Sequence, residues 1–219
     1  MAASEERPLG MMMPVAAGGQ IPPEPPDVAA RALAVASRML CGATTFFFVA
    51  FLFAYFYLRS INQNHMWRPA HVKPEQGLGV AFIVCLVLSV GLTILAGRAM
   101  KAKSANWLAL AGGGLLLGLA TIAVQCIAYT RQPFGPTNGA YASVYCAWTA
   151  FYLIAVLATM YWLETQIATE LRARRAPAAG GGDVADPDQL IAPGLDAAVF
   201  YWAFLGALGV VMYVTLYLL

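Results

Sequence analysis

Five apolar stretches dominate the hydrophobic pattern of this 219-residue chain, and each is long enough to cross a lipid bilayer. A helix needs roughly 20 apolar residues to span about 30 Å of hydrocarbon. An isolated strand in lipid cannot satisfy its own backbone polar groups, so each stretch is predicted to be helical. The predicted spans are residues 39–58, 77–97, 106–129, 140–163 and 197–219.

The segments outside these spans are too short to form a second folded domain. Residues 1–27 are rich in proline and are predicted to be disordered, and residues 176–195 are predicted to be a flexible linker. The membrane domain is predicted to cover residues 28–219, because VAARALAVASRML extends the first helix upstream of its span. The predicted fold class is an all-α integral membrane protein, a bundle of five transmembrane helices.

Basic residues are distributed unequally between the two sides of this bundle, and their distribution predicts its orientation. The side with more basic residues usually faces the cytoplasm. The amino terminus is therefore predicted to be cytoplasmic and the carboxyl terminus to lie outside. The first side holds Arg7, Arg31, Arg38, Arg98, Lys101, Lys103, Arg172, Arg174 and Arg175, and the other holds Arg59, Arg68, Lys73 and Arg131.

Composition agrees with the membrane assignment. Only 11% of the residues are charged, against about 25% in soluble domains. The formal net charge of +2 is too small to indicate a nucleic-acid partner.

The predicted spans contain no histidine, and acidic residues occur only at their edges. A bis-histidine cytochrome is therefore excluded. Proton pumps and ion-coupled transporters place ionisable groups at membrane depth, so neither class is favoured. His65 and His71 lie six residues apart in the first outer loop, but metal sites require three or four closely spaced ligands. No catalytic, cofactor-binding or metal-binding residue is predicted in this chain.

Two features of the spans predict packing surfaces. Gly114 and Gly118 lie four residues apart and allow another backbone to approach closely, either inside this bundle or at a subunit interface. The run TTFFFVAFLFAYFYLRS, residues 44–60, has aromatic residues around most of its helix, which predicts protein on one side and acyl chains on another. The alternative is an ordinary bundle core with lipid-facing bulk.

Three segments resemble subunit III of the haem–copper respiratory oxidases, in the short five-helix form found in bacteria. The first is TTFFFVAFLFAYFYLRS with the following loop MWRPAH. The second is AYASVYCAWTAFYLIAVLATMYWLE, which is similar to the family's AYGSVF run. The third is FYWAFLGALGVVMYVTLYLL, which is similar to the family's closing YWHFVD segment. Their order and spacing cover most of residues 37–219.

This resemblance implies an accessory subunit of an aerobic terminal oxidase of the cytochrome c oxidase type, located in the bacterial inner membrane. Such a subunit has no active site and no cofactor of its own, because the haem and copper belong to its partners. The implied partners are the catalytic haem–copper subunit I, subunit II and phospholipids. Two alternatives stay open: a subunit III-like protein of a nitric oxide reductase, and an unrelated membrane scaffold or transporter.

The chain departs from the family where the family has ionisable groups within the membrane. Six neutral residues stand at those places, which puts any polar role of the lost groups in doubt. They are Thr45, Ala128, Tyr152, Ala155, Ala203 and Gly206.

The candidate lipid or subunit contacts are chosen from the residue pattern of the spans and from the family resemblance. Acyl chains are expected against Phe46 to Phe56, with head groups at Arg38 and Arg59. The alternative is that these two arginines are ordinary charges flanking the span. Several aromatic residues near the span ends, among them Trp202, are expected to act as interfacial anchors. The full set of candidate contacts is Arg38, Thr45, Phe47, Phe51, Arg59, Gly114, Gly118, Tyr141 and Trp202.

Overall fold

The computed structural model describes residues 26–62, 67–175 and 188–219. This part of the chain is helical and contains no strand. The helices are α1 (Pro26–Ser60), α2 (Gln76–Lys101), α3 (Trp107–Arg131), α4 (Ala140–Arg175) and α5 (Asp188–Tyr213), and a π-helical turn (Val214–Leu218) follows α5.

All five helices are long and apolar enough to cross a membrane, which confirms the predicted multi-pass helical character. The predicted second and third spans agree with α2 and α3 to within a few residues. By contrast, α1 and α4 have 35 and 36 residues, and at 1.5 Å per residue each is about 50 Å long. Both exceed the roughly 30 Å hydrocarbon layer, and their extra turns lie beyond the predicted spans at the same end of the bundle.

The fifth helix begins earlier than the sequence predicts. Residues 176–187 of the predicted linker, and the Pro-rich residues 1–25, lie outside the described residues. Residues 188–195 are helical rather than part of a linker, although Pro193 and Gly194 suggest a turn. Burial explains the difference, since Ile191 and Leu195 are 3% and 0% exposed and offset the helix-breaking tendency of this pair.

Helix α5 occupies the middle of the bundle and contacts α1, α2 and α4. Helix α3 packs along α2 and also touches α4, while α1 lies at the edge against α5 and α4. The helices run alternately up and down. We call the end that holds the start of α1 the amino-terminal end, and the opposite end the carboxyl-terminal end.

A buried polar contact joins three helices at the centre. The Ser89 hydroxyl on α2 donates to the Gly114 carbonyl on α3 at 2.6 Å, and the Trp202 indole on α5 donates to Ser89 Oγ at 3.2 Å. All three residues are buried. Since unpaired polar groups are costly away from water, these bonds fix the mutual rotation of α2, α3 and α5.

Candidate functional site

The aromatic run on α1 divides into an inner and an outer face, as the sequence predicts. Phe48 and Tyr55 are 3% and 1% exposed and face the bundle. Phe46 and Phe53 are 82% and 68% exposed on the other side of the helix. The outer face therefore exposes aromatic rings on the surface of the chain.

Phe47 and Phe51 lie between these two faces. Phe47 packs edge-on against Phe151 of α4, with ring centroids 5.1 Å apart, and Phe51 stacks on Trp148 at 6.2 Å. Edge-to-face and offset contacts of this kind add to the stability gained from burial alone. These two candidates thus hold α1 to α4, and Phe47 keeps nearly half of its surface exposed.

Thr45 and Arg59 are both exposed on α1. The Thr45 hydroxyl donates to the Cys41 carbonyl of its own helix at 2.7 Å, so it needs no further partner. Arg59 lies in the last turn of α1, at the carboxyl-terminal end. The structure places these two residues, with Arg38, on the surface and does not bring them together.

Gly114 and Gly118 are buried within the bundle and contact different neighbours. A Cβ on Gly114 would overlap Thr93 Oγ1 and would lie 3.3 Å from the Ser89 carbonyl oxygen of α2. A Cβ on Gly118 would overlap the side chain of Met160 on α4. Both glycines therefore serve packing inside this chain, which is the first of the two interpretations that the sequence allows.

Tyr141 and Trp202 are 0% and 1% exposed, so neither can touch lipid or a partner subunit. This corrects their selection as surface contacts and, for Trp202, the expected anchor role. Sequence position places both near the ends of spans, but their polar atoms have partners inside the chain. Trp202 donates to Ser89, and the Tyr141 hydroxyl donates to the Leu216 carbonyl at 2.5 Å.

Tyr141 belongs to a buried cluster at the carboxyl-terminal end, which we call the tyrosine cluster. It consists of Trp67, Tyr141, Tyr145 and Tyr217. The Tyr141 backbone N–H donates to the Trp67 carbonyl at 3.1 Å, and the hydroxyls of Tyr145 and Tyr217 lie 2.6 Å apart. Gln125 of α3 donates to the Tyr145 hydroxyl at 3.3 Å. The cluster links the first loop, α3, α4 and the π-helical turn.

We expect Tyr141→Phe to lower the free energy of unfolding by about 1–3 kcal/mol, because it removes the donor to a buried carbonyl. The measurement is the thermal midpoint of the purified protein in detergent. Tyr161→Phe is the matched control, since Tyr161 is 67% exposed on the same helix. Equal midpoints for the two variants would show that this hydrogen bond contributes nothing.

A groove opens between α1 and α5 at the amino-terminal end. Its volume is about 800 Å³, and Arg38 lies on its wall. Lys101 at the end of α2 forms an ion pair with Asp196 of α5 at 2.9 Å, and both side chains also line the groove. The groove therefore combines charged side chains with a mainly alanine, valine and phenylalanine surface.

Sequence reasoning selected Arg38 but missed Lys101 and Asp196. Both carry a visible signal, because they are charged residues at the edges of spans that are predicted to lie on the same side of the membrane. Their pairing depends on which helices are neighbours, and the sequence pattern does not indicate that.

No group of three histidine, cysteine, aspartate or glutamate side chains in the described ranges is arranged to hold a metal ion. His71 is exposed in the first loop. His65 lies outside the described residues, so the structure does not address the histidine pair.

Comparison with protein-family models and with curated proteins finds no match for this chain. The proposed function therefore rests on the residues and their geometry.

Proposed function

We propose that this chain is an accessory, cofactor-free membrane subunit of the subunit III type. In this proposal it packs on the haem–copper catalytic subunit of an aerobic terminal oxidase and binds phospholipid. The proposed location is the bacterial inner membrane, with the amino-terminal end in the cytoplasm.

The observation that carries the proposal is the meeting of the three resembling segments in the tyrosine cluster. Trp67 comes from the loop after the first segment, Tyr141 begins the second, and Tyr217 lies near the end of the third. These residues are far apart in sequence, yet Tyr141 bonds to both Trp67 and Leu216. A resemblance confined to composition would give no reason for its separate motifs to converge.

The neutral positions of the spans are compatible with a subunit that acts by packing alone. Tyr152 is completely buried, and its hydroxyl donates to the Leu205 carbonyl at 2.8 Å. A Cβ on Gly206 would lie 2.7 Å from Val90 Cγ2, so the bundle has no room there for a carboxylate. Ala128 is also buried. At Tyr152 and Gly206, neighbouring groups of this chain occupy the space that an ionisable group would require.

Copurification tests this proposal. The tagged full-length chain is extracted from native membranes with mild detergent, and the intact assembly is analysed by mass spectrometry and by its reduced haem spectrum. We expect a larger, histidine-rich membrane subunit with haem a or haem o and copper. A tagged, unrelated multi-pass protein from the same membranes is the control.

Other outcomes would replace the proposal. Haem b with non-haem iron would indicate a nitric oxide reductase assembly. A chain without a haem protein partner that moves a solute into liposomes would be a transporter.

A further inference from the structure

The groove between α1 and α5 is lined by more positive than negative charge. Lys101 and Asp196 neutralise each other across 2.9 Å. Within the described part of the chain, the Arg38 guanidinium forms no hydrogen bond and no ion pair. Two basic side chains and one carboxylate therefore line the groove, and one guanidinium is free to bind an anion.

The surfaces on either side of these charges are apolar. On the membrane side the groove is lined by Val199, Phe200 and Ala203, and Phe200 is 50% exposed. Ala203 is seven residues beyond Asp196 on α5, which places it about 10 Å deeper along the helix. Small residues, among them Ala34, line the opposite part of the groove.

This arrangement suits a molecule with an anionic head and a hydrocarbon tail. The three charged side chains lie at the end of α2 and at the starts of two predicted spans. This is the depth at which lipid phosphates are expected. Basic pockets between transmembrane helices bind acidic lipid head groups, and guanidinium–phosphate pairs are strong and directional. The groove lies on the side of α1 that is next to α5. Phe46 and Phe53 lie instead on the exposed face of α1.

We propose that this groove binds one acidic phospholipid, with its phosphate at Arg38 and Lys101 and one acyl chain along Val199, Phe200 and Ala203. This inference deepens the lipid-binding part of the proposed function and rests on it for the membrane setting. Asp196 opposes the binding, because it competes with the phosphate for Lys101. A head group that carries its own ammonium gains less here, since it brings a positive charge towards Arg38 and Lys101.

The test measures lipid retention by the purified full-length chain, together with any partner that copurifies. The protein is placed in nanodiscs of equal phosphatidylglycerol and phosphatidylcholine, released into the gas phase, and its retained lipids are counted by native mass spectrometry. We expect phosphatidylglycerol to be retained in preference to phosphatidylcholine. Arg38→Gln should lower its retention about fivefold, the factor that corresponds to about 1 kcal/mol per basic residue near an anionic lipid.

Two further variants make the test specific. Arg98→Gln is the matched control, since Arg98 is exposed at the same end of the bundle and does not line the groove. It should retain phosphatidylglycerol as the unchanged chain does. Asp196→Asn should raise retention, because it frees Lys101. Loss of lipid in Asp196→Asn, equal loss in Arg38→Gln and Arg98→Gln, or equal retention of both lipids would overturn the proposal.

This experiment does not depend on the haem partner. Selective retention of phosphatidylglycerol in a chain that copurifies without a haem protein would leave the groove assigned and remove the oxidase proposal. Copurification with a haem–copper subunit, but without selective retention of phosphatidylglycerol, would support the oxidase proposal and remove the groove assignment.

Discussion

Gly114→Val should be the most damaging single substitution considered for this bundle. A side chain at this position would meet Thr93 and the backbone carbonyl of Ser89, neither of which can move away cheaply. Thr93 is tied to the same carbonyl by its own 2.8 Å hydrogen bond, and Ser89 holds α3 and Trp202. Overpacking at a buried site costs about 1–3 kcal/mol, and separation of α2 from α3 would add the loss of the Ser89 bond.

The measurement is the yield and thermal midpoint of the monodisperse protein in detergent. Gly112→Val on the same helix is the matched control, because nothing lies within 4 Å of a Cβ there. Both variants carry the same loss of glycine and the same β-branched side chain, so the difference between them isolates the close approach of α2. Equal stability of the two variants would refute the packing role of Gly114.

Gly118→Ala should be milder than its position in the same motif suggests. The atoms that its methyl group would meet belong to the end of the Met160 side chain. Methionine is flexible and unbranched, so it can adopt another rotamer where a backbone carbonyl cannot move. We expect Gly118→Ala to be much less destabilising than Gly114→Val in the same thermal assay, and the reverse order would contradict this reasoning.

The number and positions of the helices could be predicted because they depend on local properties. Twenty apolar residues need a helix in lipid, wherever the neighbouring helices lie. The inner and outer faces of the α1 aromatic run could be predicted for the same reason, because its aromatic residues lie around most of the helix. The early start of α5 was missed because it depends on burial of Ile191 and Leu195, which overrides the local turn signal of Pro193 and Gly194.

The contacts between helices could not be predicted because they depend on which faces meet. Trp202 has the composition and position of an interfacial anchor, yet its indole points at Ser89 of α2. The pairing of Lys101 with Asp196 and of Tyr145 with Tyr217 joins residues that are 95 and 72 positions apart. A single sequence gives the ends of the spans, but it does not give the rotation of each helix about its axis.

If the chain is the proposed accessory subunit, Thr45→Glu tests whether it acts by packing alone. Thr45 is exposed on α1, about 10 Å along the helix from Arg38 and about 21 Å from Arg59, so it lies within the predicted hydrocarbon layer. A charge at that depth costs about 2.5–3.5 kcal/mol on insertion scales, and the Thr45 hydroxyl is already bonded to the Cys41 carbonyl. We therefore expect the variant to be inserted less efficiently and to give no gain in turnover by the proposed assembly with a haem–copper subunit.

Thr45→Gln is the control for size and polarity, because it offers a similar side chain without an ionisable proton. If packing is the whole function, the glutamate variant should equal or fall below the glutamine variant in assembly, turnover and resistance to inactivation. Two of the other neutral positions would then need no separate explanation, since Val90 fills the space beside Gly206 and the Leu205 carbonyl binds the hydroxyl of Tyr152. If only the glutamate variant shows faster turnover or greater resistance to inactivation, with assembly intact, then a carboxylate at this position contributes to function and the packing-only account is wrong. The exposed position of Thr45 sharpens that outcome, because a charge stabilised there would have its partner outside the described part of this chain, as the proposed packing on a catalytic subunit would allow.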